Sequence, residues 1–421
     1  MDQISPYSLI IVGSIILIIS YFFGEISKRT SIPSVLLLIV LGVLVNFGLQ
    51  YADLASFKFD GILEILGIVG LIMIVLEAAL ELKLDSEKIV PIVRALAIAL
   101  IGLLLSTYVT KLVLQYFIEG MSNIQAWIYA TPLSILSSAI IIPSVLDLRK
   151  DKKEFHIYES TFSDILGIML FYFLTAQVHV EGDSSHGGGG IGNFALTTLL
   201  TILIAVVTSY LLVIVFQKIK SQVKLFLLIS VLLLIYSVEK QAHLSSLLSI
   251  LIFGLVISNM DIFFAGRLNK WLDREAAHEV YEGLHVITME TAFVVRTFFF
   301  VIFGITITFD SLASWDVLGI SALCLLIIYV IRYIMLRTSI GKDILPQLYI
   351  APRGLITILL FNAIPAEVIN ENFSQGILLY IILGTGVIMT IAMIFNKRRA
   401  NGAINAVKQT PVRMVKWRLP E

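Results

Sequence analysis

One cysteine in 421 residues, Cys324, makes an intrachain disulfide impossible and leaves no thiol cluster for a metal. Charge is scarce as well. Only 14% of the residues are Asp, Glu, Lys or Arg, where a soluble domain carries about a quarter. No His-Glu-x-x-His motif occurs, which removes the usual signature of an intramembrane metallopeptidase. What is abundant is apolar: 58% of the chain, gathered into runs of roughly 20 residues, enough to cross a hydrocarbon core about 30 Å thick. The expected class is therefore all-α and polytopic, embedded in a membrane. It needs no bound cofactor and no nucleic-acid partner.

Hydropathy places thirteen spans, at roughly 6–27, 33–50, 61–82, 89–117, 124–148, 156–179, 192–216, 223–239, 243–262, 288–309, 315–336, 344–366 and 374–396. The N-terminal run has no basic region before it and is too long for a cleaved signal, so it counts as the first span. An odd number of spans sets the termini on opposite sides. All but six of the 30 Lys and Arg then fall on the side of the basic tail, 397–421. The exceptions are Lys58 and Lys240 in loops and Lys111, Arg296, Arg332 and Arg353 within spans. By the positive-inside rule the C-terminus is cytosolic and the N-terminus external, as in a prokaryotic inner membrane. The tail is suited to anionic lipid. The stretch "AGRLNKWLDREAAHEVYEGLH" before the tenth span reads as a separate amphipathic helix at the interface.

Charges inside spans are costly and mark functional sites. Asp164, Arg296 and Arg353 each lie eight or nine residues from the expected basic-side end of a span, about 12–14 Å deep at 1.5 Å per residue. Glu77 and Glu159 lie about one turn shallower. Such clustering in depth indicates one internal site. Arg332 and Lys111, close to span ends, are expected to snorkel to an interface. In "YESTFSDILG" Ser160 and Asp164 are four apart and share a helix face, whereas Glu159 and Asp164 are about 140° apart. One carboxylate can thus face a pathway while the other turns to a fixed arginine. A carboxylate with hydroxyl and carbonyl oxygens suits a hard monovalent cation. A proton discharges the same group, so the two compete for one site.

Two spans look interrupted. The fifth, "WIYATPLSILSSAIIIPSVLDL", holds Pro132, Pro143 and the hydroxyls of Thr131, Ser134, Ser137 and Ser138. The twelfth breaks at Pro352-Arg353-Gly354. Broken helices at membrane depth are tolerated where they line a cavity. Their separation by seven in order is that of inverted repeats.

With these features the chain resembles the monovalent cation:proton antiporters, in particular the NhaP-type sodium/proton exchangers. "SIPSVLLLIVLGVLV", "GLIMIVLEAALELKLD", "HLSSLLSILIFGLVISN" and "APRGLITILLF" are similar to family segments, and the pattern Glu-Ser-x-x-Asn-Asp is met at Glu159, Ser160 and Asp164. The resemblance implies an NhaA-like fold of inverted repeats with two crossing discontinuous helices. It implies a homodimer, with core helices at 61–82, 89–117, 124–148, 156–179, 288–309, 315–336 and 344–366, and the other spans as dimerisation scaffold. Na⁺, or Li⁺, would bind Asp164, Ser160 and Glu77 in exchange for H⁺ by alternating access. Glu159 would pair with Arg353 as a structural bridge. Two departures stand out: Ser163 replaces the Asn, and the fifth span has hydroxyls (Ser137, Ser138, Thr131) where Thr-Asp-Pro is usual. Its "LSSAI" is closer to the potassium-efflux branch, so a K⁺/H⁺ or broad-specificity antiporter is the alternative. Arg296 is a further candidate, as a charge partner of Asp164. A non-transporting membrane sensor is the reading from another class, and the short tail speaks against it.

Overall fold

Apolar runs with no strand-like alternation leave the helix as the structure that satisfies every backbone group within the segment. The computed structural model describes residues 6–30, 32–51, 60–84, 88–145, 148–181, 191–221, 223–242, 244, 246–307 and 314–409, and among these no strand occurs. The helices are α1 (Pro6–Thr30), α2 (Ser34–Tyr51), α3 (Asp60–Glu81), α4 (Ile89–Phe117), α5 (Asn123–Ser134), α6 (Ser138–Ser144), α7 (Lys150–Glu181) and α8 (Ile191–Phe216). They continue with α9 (Lys224–Gln241), α10 (Ser246–Ser258), α11 (Met260–Phe263), α12 (Arg274–Thr306), α13 (Trp315–Ser339), α14 (Leu355–Asn362) and α15 (Gln375–Gln409). Each of the thirteen expected spans meets a helix or a broken helix, and among the described residues eight are long and apolar enough to cross a membrane by length and composition.

Three boundaries differ from expectation. The amphipathic stretch is not a separate helix. After a tight turn at Gly266–Trp271 the chain enters α12, capped by the Asp273 side chain on the Ala276 N–H, and runs 33 residues without a break. Helix α7 begins six residues before the expected span, with Asp151 in its first turn, where an acidic residue favours the helix dipole. Helix α15 continues to Gln409, into the expected tail, while residues 410–421 lie outside the described residues.

The most extensive packing gathers the helices into two groups. Helix α3 packs with α12 and α10, α12 with α2, and α10 with α8, whereas α4 packs with α5, α7 and α13, and α15 with α13. The α2–α12 crossing is close because both helices carry glycine there. A Cβ at Gly42 would strike the Val301 carbonyl, and one at Gly304 the Ile39 carbonyl.

The fifth and twelfth spans are interrupted and cross. Pro132 has no N–H for the last turn of α5, and the chain turns extended at Ile135 and Ser137 before α6. Pro352 prevents a helix through 350–354, and α14 begins only at Leu355. At the crossing Ser137 N donates to the Pro352 carbonyl at 3.0 Å. Gly354 sits directly against Ser137; a Cβ there would overlap its side chain.

Candidate functional site

The breaks create unpaired backbone groups, and the site grows from how they are satisfied. Arg353 spreads its guanidinium over the carbonyls of Leu133 (Nε, 2.9 Å), Ser134 (Nη2, 3.1 Å) and Ala351 (Nη1, 2.8 Å). It thereby covers the C-terminal end of α5, where the dipole is negative and carbonyls are orphaned. Its own N–H donates to Thr385 Oγ1 of α15 at 3.1 Å. Arg353 does not pair with Glu159, contrary to the expected bridge.

Glu159 is bound by Arg332 instead, Nη1 to Oε1 at 2.9 Å and Nη2 to Oε2 at 3.0 Å, with Arg332 Nε on the Gln347 carbonyl at 3.0 Å. Arg332 is buried and does not snorkel. The depths explain this. Helix α13 runs to Ser339 and α7 starts at Lys150, so Arg332 lies seven residues and Glu159 nine residues inside their helices, at similar depth. His156, one turn before Glu159, is fully buried with Nδ1 3.4 Å from Glu159 Oε2; sequence reading passed over it because an imidazole near a charged helix start looks solvated.

Asp164 is 3% exposed. Its Oδ2 accepts from the Ser138 N–H, at the start of α6, at 3.1 Å, and its Oδ1 has no hydrogen-bond partner in the protein. Ser163 Oγ accepts from Leu136 N at 3.0 Å, so the residue in place of the family Asn fastens the extended break of the fifth span to α7. Asp164 faces a narrow cavity of about 20 Å³ between α3, α7, α10 and α14, lined by Ile74, Ala78, Thr161, Ile168, Leu248 and Ile356 among others. That volume holds about one small ion or water.

The expected ligand trio is not brought together. Ser160 Oγ donates to the His156 carbonyl of its own helix at 2.7 Å, and the residue is not part of the cavity wall. Thr161 takes that place, three residues before Asp164 on the same face, with an unpartnered buried hydroxyl. Glu77 points to Arg296, whose Nη2 donates to Oε1 at 3.1 Å. Arg296 is therefore the partner of Glu77, not of Asp164. Thr131 Oγ1 is turned back onto the Trp127 carbonyl at 2.8 Å. Ser137 Oγ is buried without a partner beside the crossing. No group of three His, Cys, Asp or Glu suited to a metal occurs among the described residues. The arrangement is a lone desolvated carboxylate with hydroxyl oxygens nearby, which suits one singly charged ion.

A second cavity of about 40 Å³ lies behind the breaks, walled by Ser106, Ser134, Glu159, Ser163, Arg332 and Arg353 among others. At the basic end of α7, Lys152 Nζ donates to Asp343 Oδ1, in the loop after α13, at 2.8 Å and to the Leu345 carbonyl at 2.6 Å. The hydrogen bond from Lys152 holds the Asp343 carboxyl below the usual carboxylate range.

A family model described as "Sodium/hydrogen exchanger, transmembrane" matches residues 14–397. Among solved structures, the chain is similar to the sodium proton antiporter MjNhaP1 from Methanocaldococcus jannaschii at pH 8, with a TM-score of 0.65 and 20% identity. That match covers 93% of this chain and 99% of the other. An electron-microscopy structure of MjNhaP1 from the same organism aligns with a TM-score of 0.62 and 20% identity, covering 99% and 100% of the two chains. At that identity the likeness establishes the fold. No curated protein matches the sequence.

Proposed function

Because the chain belongs to the sodium/hydrogen exchanger family, we propose that it exchanges Na⁺ or Li⁺ for H⁺ across a membrane, with Asp164 the group that binds each in turn. The observation carrying this reading is Asp164 itself: buried, held on one oxygen by the Ser138 N–H, free on the other, and open only to a cavity of one-ion size. A carboxylate so placed cannot stay bare and charged in an apolar seam. It must hold a proton or a cation, and holding one expels the other.

The cavity lies in the seam between the helices packed around α3, α10 and α12 and those packed around α4, α7 and α13. Sliding of the second group against the first would open Asp164 to each side in turn, which is alternating access. The crossing of the broken spans, tied by Arg353 and by Ser137 on Pro352, would travel with Asp164 as one body. With one carboxylate in the cavity, one cation replaces one proton and no net charge moves. Orientation follows the charge asymmetry: the basic face is cytosolic and the N-terminus external. Two copies would associate through the first group of helices, leaving the second free to move.

The test is purified protein in proteoliposomes with an imposed pH gradient and a lumenal pH dye. Na⁺ or Li⁺ should dissipate the gradient in the wild type, and Asp164→Asn should abolish that response. A response to K⁺ equal to that for Na⁺ would move the assignment to the K⁺/H⁺ alternative, which the hydroxyl-only break of the fifth span favours. No response to any cation in a folded wild type would leave the non-transporting sensor. A valinomycin clamp tests for charge movement.

A further inference from the structure

The exchange site leaves one buried carboxylate unexplained. Glu239, near the end of α9 remote from the basic face, is 5% exposed, and neither carboxylate oxygen has a hydrogen-bond partner in the protein. It takes part in no ion pair among the described residues. Lys240, its neighbour in sequence, makes no ion pair with it; its ammonium lies at the edge of the same cluster, 4.4 Å from the centre of the Tyr172 ring of α7. The group beside Glu239 is Ser249 of α10, whose buried hydroxyl is near the carboxyl but makes no hydrogen bond of good geometry to it or to any other group. One turn away Tyr236 of α9 lies beside Ser246 of α10 and near Tyr172. Three helices thus converge on one carboxylate and a set of hydroxyls.

This cluster shares helices α7 and α10 with the Asp164 cavity. On α7, Asp164, Ile168 and Tyr172 follow at four-residue spacing along one stripe, and the first two line the Asp164 cavity. Eight residues place Tyr172 about 12 Å from Asp164, toward the side opposite the basic face. On α10, Leu247, Leu248 and Leu251 form the wall of that cavity and alternate with Ser246 and Ser249, which face α9. An uncompensated buried carboxylate is costly. With a hydroxyl oxygen next to it, it has the donors of a hard, singly charged cation.

We propose that Glu239 and Ser249 form a second monovalent-cation site, at the external side of the seam, from which Asp164 is supplied. Its direction of use rests on the exchange reading; its existence does not.

Equilibrium binding of radioactive sodium to the full-length purified protein tests this, with radioactive rubidium in parallel. The wild type should bind two ions per chain. Asp164→Asn should remove one, Glu239→Gln the other, and the double variant both. Ser249→Ala should weaken the outer affinity about three- to tenfold, the loss of one hydroxyl contact. If Glu239→Gln and Ser249→Ala both leave stoichiometry and affinity unchanged, the proposal is overturned, and Asp164 keeps its role if its own variant lowers binding. If Asp164→Asn changes nothing while Glu239→Gln removes an ion, the outer site stands and the exchange reading fails. Should Glu239→Gln not fold, Ser249→Ala decides alone, and unchanged affinity in it overturns the site.

Discussion

Arg332 of α13 and Glu159 of α7 form a two-point ion pair, at 2.9 and 3.0 Å, with both side chains withdrawn from the surface. The pair joins two helices whose residues are 173 positions apart in the chain. Removing one partner strands a buried charge. Glu159→Gln or Arg332→Ala should cost about 3–5 kcal/mol, read as early unfolding in detergent. Replacing both by apolar residues of similar volume should cost far less. Arg332→Lys should rescue only in part, because a point charge cannot make both contacts.

Arg353 is tied to the backbone of the α5 end and not to an acid. Arg353→Ala should therefore expose the carbonyls of Leu133 and Ser134. The expected loss is about 2–3 kcal/mol, with faster amide exchange concentrated at Ile135–Ser138. Glu159→Gln should leave exchange in that segment unchanged, which separates the two arginines.

Glu77 is occupied by Arg296 at 3.1 Å. If the cation reaches Asp164 past Glu77, Arg296→Gln frees an attractive carboxylate. The apparent KM for the cation should then fall while Asp164→Asn stays inactive. An unchanged or higher KM would mark the pair as purely structural.

Gly354→Ala should destabilise by about 1–3 kcal/mol through overlap with Ser137. The double variant Gly354→Ala with Ser137→Gly should recover part of this, since the remaining overlap is with the flexible Cδ1 end of Ile140.

At the basic end of α7 the Asp343 carboxyl is held low by its hydrogen bond from Lys152. A depressed folded pKa gives stability that is present above the ordinary Asp value and lost as pH falls through the folded value. Asp343 is largely exposed, so the effect is under about 1 kcal/mol. Asp343→Asn should lower the stability read from melting at neutral pH by up to that amount, make no difference well below the ordinary Asp value, and so flatten the acid limb of the profile.

Much of this was legible residue by residue. Pro132 and the Pro352-Gly354 break announce the interrupted spans, because a missing N–H disrupts a helix whatever surrounds it. Asp164 announces a buried site, because no apolar span keeps a carboxylate without a use. Spacing even separated the faces of Glu159 and Asp164. What spacing could not give was rotamer and partner. Ser160 has the right face yet donates its hydrogen bond to the His156 carbonyl of its own helix, while Thr161 turns to the cavity.

The sequence alone determined the membrane class, the spans, the two breaks and the carboxylate at the centre. Each depends on a property of one segment: its length, its hydrophobicity or its lack of a donor. Tertiary structure decided that Arg332 binds Glu159, that Arg353 closes the end of α5, and that Arg296 answers Glu77. Those outcomes depend on where separate helices meet in depth and rotation, and helical periodicity within one segment carries no record of its neighbours.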